Sequence, residues 1–527
     1  MKLNVKMLEN ELWWGGTNVD GCQMPFDKTT ELIKDFRRSA PNETAPLFLS
    51  NMGRVIWSED AFKCEFKNGE IALEGNEEIV LTEAGSNLKE AFLYARQNFF
   101  PTDGRVLNRD FFKTVQYNTW IECLYDPTQE HVLRYAHAII DNGFEPGILM
   151  IDEGWHGRYG NWTFDPVKFP DPKAMVEELH ALGFKVLLWV VPLVCPDGKF
   201  FIDHHNESNR IHKEEERLFI RIKKDPYFPA LFHWWNGFSA MLNLDNPNDF
   251  EFLDNQLQKL IDDYGIDGFK FDGGSVGMYG NCINAGSDAK EKYSNEINTE
   301  LNPRQLNFAW NKFASKYDYH EYKDTFKGGS LNTIQRLCDR GHRWEGNGID
   351  SLIPMSIAQG LIGHPFICPD MVGGGEWTNF KPGMPIDGEL FVRWAQCSAM
   401  FPMMQYSKAP WDCLSPEHCE LVIAAGKLHS EMTDEIIEMV TRAEQSGEPI
   451  LRNLEYNYPH KGFAHIKDEF MLEDKILVAP VITKDTYSRE VILPEGKWLA
   501  DDGKEYLGGT YTISCPLERL IWFRKIS

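Results

Sequence analysis

The chain has 527 residues and a formal net charge of −25, with 43% hydrophobic and 25% charged residues. That is too much chain for one compact core and points to about two to four domains. The acidic balance excludes polyanionic partners such as nucleic acid or an anionic membrane, and no window approaches the ~20 apolar residues of a membrane span. Eleven cysteines are scattered without a C-x-x-C pair. The first residues also lack the apolar run of a secretory leader, so a reducing cytoplasm is the expected location.

The first hundred residues read as β structure. Residues 47–57 form a strand-turn-strand pattern with Asn51-Met52-Gly53 as the turn. Phe62-Lys63-Cys64-Glu65-Phe66 alternates and is followed by Asn68-Gly69, a hairpin signal. Further strands are expected at 71–73 and 79–81, and together these predict a small β-sandwich over residues 1–112.

From about residue 113 strands and helices alternate, which predicts βα units on a parallel sheet. Strands are expected at 115–121, 147–152, 185–192, 268–272, 335–339 and 365–370. Helices are expected at 129–141, 172–182, 248–264 and 303–316, with Asp171 capping the second and Gly265 closing the third. Residues 195–238 read as an irregular insertion. The pattern returns to alternating β after a helical connector, so 405–527 is expected to be a C-terminal β-sandwich, with the barrel occupying 113–404.

Several apolar strands end in an acid or an aromatic residue: Asp152, Trp189, Asp272, Asp339 and Asp370. In a parallel barrel the strand C-termini converge on one face, where active sites sit. A lone strand-end Asp is commonly a turn former or cap. Several on one face call for either a metal or catalytic work, and glycoside hydrolysis needs two carboxyl groups across the scissile bond. Asp272 and Asp339 are the expected pair. The alternation Phe269-Lys270-Phe271-Asp272 turns Lys270 to the same side as Asp272, where its charge favours the carboxylate. Sixteen tryptophans provide flat faces suited to sugar rings. The run Asp203-His204-His205 is read as a solvated loop rather than a metal site, since no closed ligand set accompanies it.

The ordered motifs Gln116-Tyr117-Asn118-Thr119-Trp120, Gly147-Ile148-Leu149-Met150-Ile151-Asp152, Asn161-Trp162-Thr163-Phe164-Asp165, Gly268-Phe269-Lys270-Phe271-Asp272, Pro369-Asp370-Met371-Val372-Gly373-Gly374 and Leu477-Val478-Ala479-Pro480-Val481 resemble glycoside hydrolase family 31, and within it an α-galactosidase-like branch. The resemblance runs from about residue 47 to the end. It implies a (β/α)₈ barrel flanked by β-sandwiches, a retaining mechanism without cofactor or metal, and an Asp nucleophile after the fourth strand, which is Asp272. It implies Asp339 as acid/base, in Gln335-Arg336-Leu337-Cys338-Asp339-Arg340. Because Trp344-Glu345-Gly346-Asn347 lacks the Asp of the commoner family motif, Asp350 and Glu345 are the fallback positions. The substrate pocket implied is Asp152, Trp189, Trp235, Lys270 and Asp370. Where the family often has an Arg, this chain has Lys323, which lacks the bidentate fork of Arg.

The expected activity is exo-acting hydrolysis of a terminal α-linked sugar, an α-galactoside first. The alternatives are an α-glucosidase, α-xylosidase or sulfoquinovosidase of the same family, or a sugar-binding protein without catalysis. The expected partner is a small-molecule or oligosaccharide substrate, and a homo-oligomer is compatible with the resemblance.

Overall fold

The computed structural model describes residues 1–203, 217–223, 225–279 and 301–527. Its N-terminal part is two antiparallel sheets. One runs Lys2–Lys6, Glu70–Gly75, Phe62–Lys67, Leu32–Asp35 in spatial order. The other is built on Glu43–Ser50 and Arg54–Ser58, with Ile79–Glu83 on one side and Trp13–Thr17 against Glu43–Ser50. The Asn68-Gly69 signal gives a tight hairpin in which Lys67 pairs with Glu70. Both turn residues take positive φ, 52° and 74°, as the twist of a two-residue hairpin requires. Alternation buries Phe62, Cys64 and Phe66 on one face. The Phe48 ring of the second sheet packs against it, 5.3 Å from Phe66 and 6.1 Å from Phe62.

Eight parallel strands follow: β1 (Gln116–Asn118), β2 (Ile148–Ile151), β3 (Lys185–Val190), β4 (Gly268–Phe271), β5 (Tyr319–Tyr322), β6 (Gln335–Arg336), β7 (Ile367–Cys368) and β8 (Gln405–Tyr406). From β1 to β7 each pairs with the next in order, and β8 pairs with β1. Between β7 and β8 the link is the Val372 N–H donating to the Gln405 carbonyl at 2.8 Å. This is the (β/α)₈ barrel that the alternating pattern predicts. Its strands are buried on both faces, which is why β2 reads as an unbroken apolar run.

The helix signals act where they were read. Asp171 accepts the Ala174 N–H at the start of Pro172–Ala181. Asn246 caps Pro247–Tyr264, and Gly265 closes it at φ 80°, a left-handed conformation that glycine adopts at low cost. The strand expected at 115–121 is shorter, because Asn118 Oδ1 accepts the Trp120 N–H at 2.7 Å and Trp120–Cys123 turns helical.

Three other differences bear on the site. The strand β5, Tyr-His-Glu-Tyr, escapes a hydropathy reading. The strand β8 extends the barrel sheet to Tyr406, past residue 404. The insertion at 195–238 is more regular than expected: Leu193–Val194, Gly237–Met241 and Leu231–Trp234 form a three-stranded antiparallel sheet. Residues His204 and His205 of the loop reading lie outside the described residues.

After β8, helix Pro416–Glu431 packs on the barrel, with Tyr406 Oη donating to the Val422 carbonyl at 3.1 Å. The C-terminal β domain is a six-stranded antiparallel sheet in the order Leu451–Arg452, Phe470–Leu472, Ile476–Ala479, Ile521–Lys525, Ser488–Ala500, Glu505–Ser514. Its longest strand is bulged between Leu493 and Lys497. Beneath it lie Leu477, Val491, Trp498 and Phe523, all fully buried.

Candidate active site

The C-terminal ends of the barrel strands enclose a cavity of about 200 Å³ lined by Trp120, Tyr125, Asp152, Glu153, Trp189, Trp235, Lys270, Asp272, Lys323, Arg336, Asp339, Glu376 and Trp377. Seven of the eight side chains expected at the site are in that lining. The exception is Asp370. It is fully buried behind Arg336, which donates to its Oδ1 at 2.7 Å. Its other contacts are the backbone N–H groups of Met371 at 2.8 Å, Gly375 at 2.6 Å and Arg340. Asp370 thus braces the wall rather than facing the cavity.

Asp272 follows β4 directly. Alternation sends Phe269 and Phe271 outward, where Phe271 packs 5.3 Å from Trp310, and brings Lys270 and Asp272 inward. Both carboxylate oxygens of Asp272 are held: Oδ2 accepts the Trp189 indole N–H at 3.0 Å, and Oδ1 accepts the Gly273 N–H at 2.8 Å. Burial pushes this carboxyl up, but the charges of Lys323 and Lys270 and those two donors outweigh it, so Asp272 is held below the usual carboxylate range. An ionised, oriented carboxylate is the state a nucleophile needs.

Asp339 follows β6 on its loop. Lys323 Nζ lies 3.0 Å from Oδ2, and the Arg336 guanidinium sits 3.2 Å from Oδ1. Burial again works upward, but Lys323, Arg336 and Lys270 overcome it and hold Asp339 far below its ordinary value. Lys270 is bonded to Asp152 Oδ2 at 2.6 Å, with both side chains almost wholly buried. The cations are therefore shared: Lys323 acts on both Asp272 and Asp339.

The fallback acids take no part in the cavity. Glu345 is exposed. Asp350 accepts the N–H groups of Gly346 at 2.9 Å and Gly348 at 3.1 Å, a turn-forming role.

Sequence reasoning missed six lining residues: Trp120, Tyr125, Glu153, Arg336, Glu376 and Trp377. Two had a signal. Arg336 is two residues before Cys338 on a strand already expected, and Glu153 directly follows Asp152. Glu153 Oε1 accepts from Tyr159 Oη at 2.7 Å and from Trp235 Nε1 at 3.2 Å, and it also accepts from Asn236. Trp235 and Asn236 form the two-residue tip of the insertion hairpin, where Trp234 pairs with Gly237. One buried carboxyl therefore ties that tip to the cavity wall. Burial, opposed by the bonds from Tyr159 and Trp235, raises Glu153 to about 7.

Two family descriptions match the barrel and the C-terminal sheet. The family description "Glycosyl hydrolases family 31 TIM-barrel domain" matches residues 112–418, and "Glycosyl hydrolase family 31 C-terminal domain" matches residues 447–525. The chain belongs to glycosyl hydrolase family 31. Among curated proteins it is 29% identical over 435 residues to the myogenesis-regulating glycosidase of Mus musculus, covering 80% of this chain and 57% of that protein. It is 25% identical over 421 residues to alpha-glucosidase 2 of Bacillus thermoamyloliquefaciens, covering 76% and 50%. The chain thus spans about half the length of these curated relatives. A family 31 sulfoquinovosidase from E. rectale superposes with a TM-score of 0.80 at 16% identity, covering 100% of this chain and 82% of that one. A Flavobacterium johnsoniae family 31 dextranase also gives 0.80, at 17% identity, covering 99% and 66%. At such identities the structures establish the fold alone.

Proposed function

We propose that this protein is a retaining, exo-acting α-glycosidase that removes terminal α-linked sugars, with α-galactosides as its preferred class. The observation that carries the reading is one cavity holding Asp272, ionised and gripped at both oxygens, together with Asp339 and a shared Lys323. At about 200 Å³ the space is below the ~300–1,000 Å³ of pockets for drug-sized ligands. It suits one sugar ring, hence exo action.

In the proposed reaction a carboxylate oxygen of Asp272 bonds to the anomeric carbon as the bond to the aglycone oxygen breaks. Asp339 gives that oxygen its proton. Asp339, now ionised, takes a proton from water, whose oxygen attacks the same carbon and releases Asp272. Two inversions return the α-anomer. The Trp189 and Gly273 donors aim the nucleophile, Lys270 and Asp152 hold ring hydroxyls, and Trp189 and Trp235 shape the wall.

Asp339 must carry a proton when the aglycone leaves, yet in the free site its cations hold it ionised. Sugar hydroxyls that accept from Lys323 weaken that hold, so substrate entry itself promotes protonation. This makes the reaction favour acid conditions.

Lys270, two residues before the nucleophile and bonded to Asp152, supports the galactoside preference. Every cation in the described lining is engaged by a carboxylate: Lys270 by Asp152, and Lys323 and Arg336 by Asp339. That arrangement disfavours a sulfonated sugar. The ten described cysteines are free thiols, which supports a cytoplasmic location. Among the described residues no helix is long and apolar enough to cross a membrane.

Rates on nitrophenyl α-galactoside and α-glucoside test the preference, and faster cleavage of the glucoside would overturn it. Proton NMR of the first sugar released tests the stereochemistry: an initial β-anomer would exclude a retaining scheme.

A further inference from the structure

Asn42 stands at the seam between the N-terminal sheets and the barrel, one residue before the strand Glu43–Ser50. Its backbone takes φ 49°, a region that asparagine and glycine tolerate. Its side chain is 3% exposed and bonds to the backbone of two barrel loops. Nδ2 donates to the Lys323 carbonyl and, at 3.4 Å, to the Arg336 carbonyl. Oδ1 accepts the Cys338 N–H at 3.0 Å and Asn18 Nδ2 at 2.7 Å. Its own carbonyl accepts the Thr325 N–H at 3.0 Å, where Thr325–Phe326 runs parallel to Glu43 and Thr44.

Lys323 follows β5, and Cys338 directly precedes Asp339. One amide thus joins the two segments whose side chains form the 3.0 Å Lys323–Asp339 pair. It does so from a domain that contributes no residue to the cavity lining.

We propose that Asn42 is a positioning residue for Asp339: its side-chain amide sets the spacing of the loops after β5 and β6, and through it the Lys323 contact that governs protonation of Asp339. This rests on Asp339 being the acid/base. The physical basis is the steep fall of an ion pair's attraction as direct contact opens toward a water-separated distance. Lys270 from β4, Lys323 after β5 and Arg336 on β6 favour the ionised form of Asp339, with Asp370 after β7 and Asp324 after β5 as its acidic neighbours. The Asn42 side chain bonds to none of these side chains; its backbone N–H bonds to the Asp324 carboxyl, a contact that Asn42→Gly keeps, so the influence of the amide runs through loop spacing. A role in domain docking alone would lower stability and leave the pH profile in place.

The test uses Asn42→Gly, which keeps a positive φ without strain and removes only the amide. Asn42→Asp accompanies it, since Asp can accept from Cys338 but cannot donate to Lys323. Both are compared with Lys323→Met on whichever nitrophenyl α-glycoside the wild type cleaves. The expected result is that the basic limb of kcat/KM moves up by about 1 pH unit in Asn42→Gly and by less in Asn42→Asp. Backbone amides around 336–340 should exchange roughly tenfold faster in Asn42→Gly, with the C-terminal sheet unchanged. If Lys323→Met moves the limb and Asn42→Gly does not, the spacing role is refuted while the acid/base assignment stands. If neither moves it, the acid/base assignment falls. In that case wild-type exchange rates at 336–340 in Asn42→Gly refute the spacing role separately, and faster exchange supports it.

Discussion

Replacing Lys323 by Met removes one of the two cations bonded to Asp339 while keeping an unbranched stem. Lys323 Nζ lies 3.0 Å from Oδ2, leaving Arg336 at 3.2 Å from Oδ1. At an effective dielectric near 20 the lost attraction is at most about 5–6 kcal/mol. The side chains of Lys323 and Asp339 keep 17% and 29% of their exposure, so water screens part of it. An opposite charge at this range lowers a carboxyl pKa by about 1–3 units, or about 1.4–4 kcal/mol. Since kcat/KM reports the free enzyme and Asp339 must be protonated to act, wild-type kcat/KM should fall as pH rises. In Lys323→Met the basic limb should move up by about 1–3 pH units, whatever KM does, and the acid limb should rise with it, because Lys323 also lowers Asp272. The folded pKa of Asp339 is depressed, so its pairing with Lys323 stabilises the fold fully above the unfolded value near ~3.9 and is lost as pH falls toward the folded one. The variant should therefore be less stable near neutrality, with the difference closing in strong acid. An unmoved basic limb would refute the claim that Lys323 controls Asp339.

Lys270→Met strands the buried Asp152 carboxylate and should cost about 3–5 kcal/mol in urea unfolding. Adding Asp152→Leu should recover most of that, and a double variant no better than the single would contradict the pairing. A Cβ at Gly375 would stand 2.6 Å from Asp370 Oδ1 and 3.0 Å from Asp339 Oδ1. Gly375→Ala should therefore cost about 1–3 kcal/mol and lower kcat, as read by thermal melting and steady-state kinetics. Trp189→Phe removes the 3.0 Å donor to Asp272, so the acid limb of kcat/KM should rise by up to about 1 unit. A limb that stays in place would argue against Asp272 acting ionised.

Much of this site was legible in the sequence because barrel strands are short apolar runs whose last residue points at one face. Asp152, Trp189 and Asp272 announce themselves in that way, and the alternation through Phe269 and Phe271 places Lys270 as well. What escaped does not depend on hydropathy. The strand β5 is Tyr-His-Glu-Tyr, with Glu321 buried by its ion pair to Arg336 at 3.4 Å, so nothing apolar marks the strand that delivers Lys323. The strand β8 holds two residues, too few for a period, whereas β6 and β7 fall within the strands expected at 335–339 and 365–370. Asp370 ends a strand like the others, yet its loop folds back and its oxygens are taken by Arg336 and backbone N–H groups. Trp120, Tyr125 and Trp377 sit on loops whose course only tertiary packing decides. The tie from Asn42 to residues 281 and 296 positions later has no local signature.

The central claim is that Asp272 forms the covalent bond to the sugar. Incubation with a slow-turnover activated fluoroglycoside of the preferred sugar, followed by peptide mass spectrometry, tests it most directly. The label should lie on the peptide holding Gly268 to Asp272 and be absent from Asp272→Asn. A label on Asp339, Glu153 or any other carboxyl would contradict it.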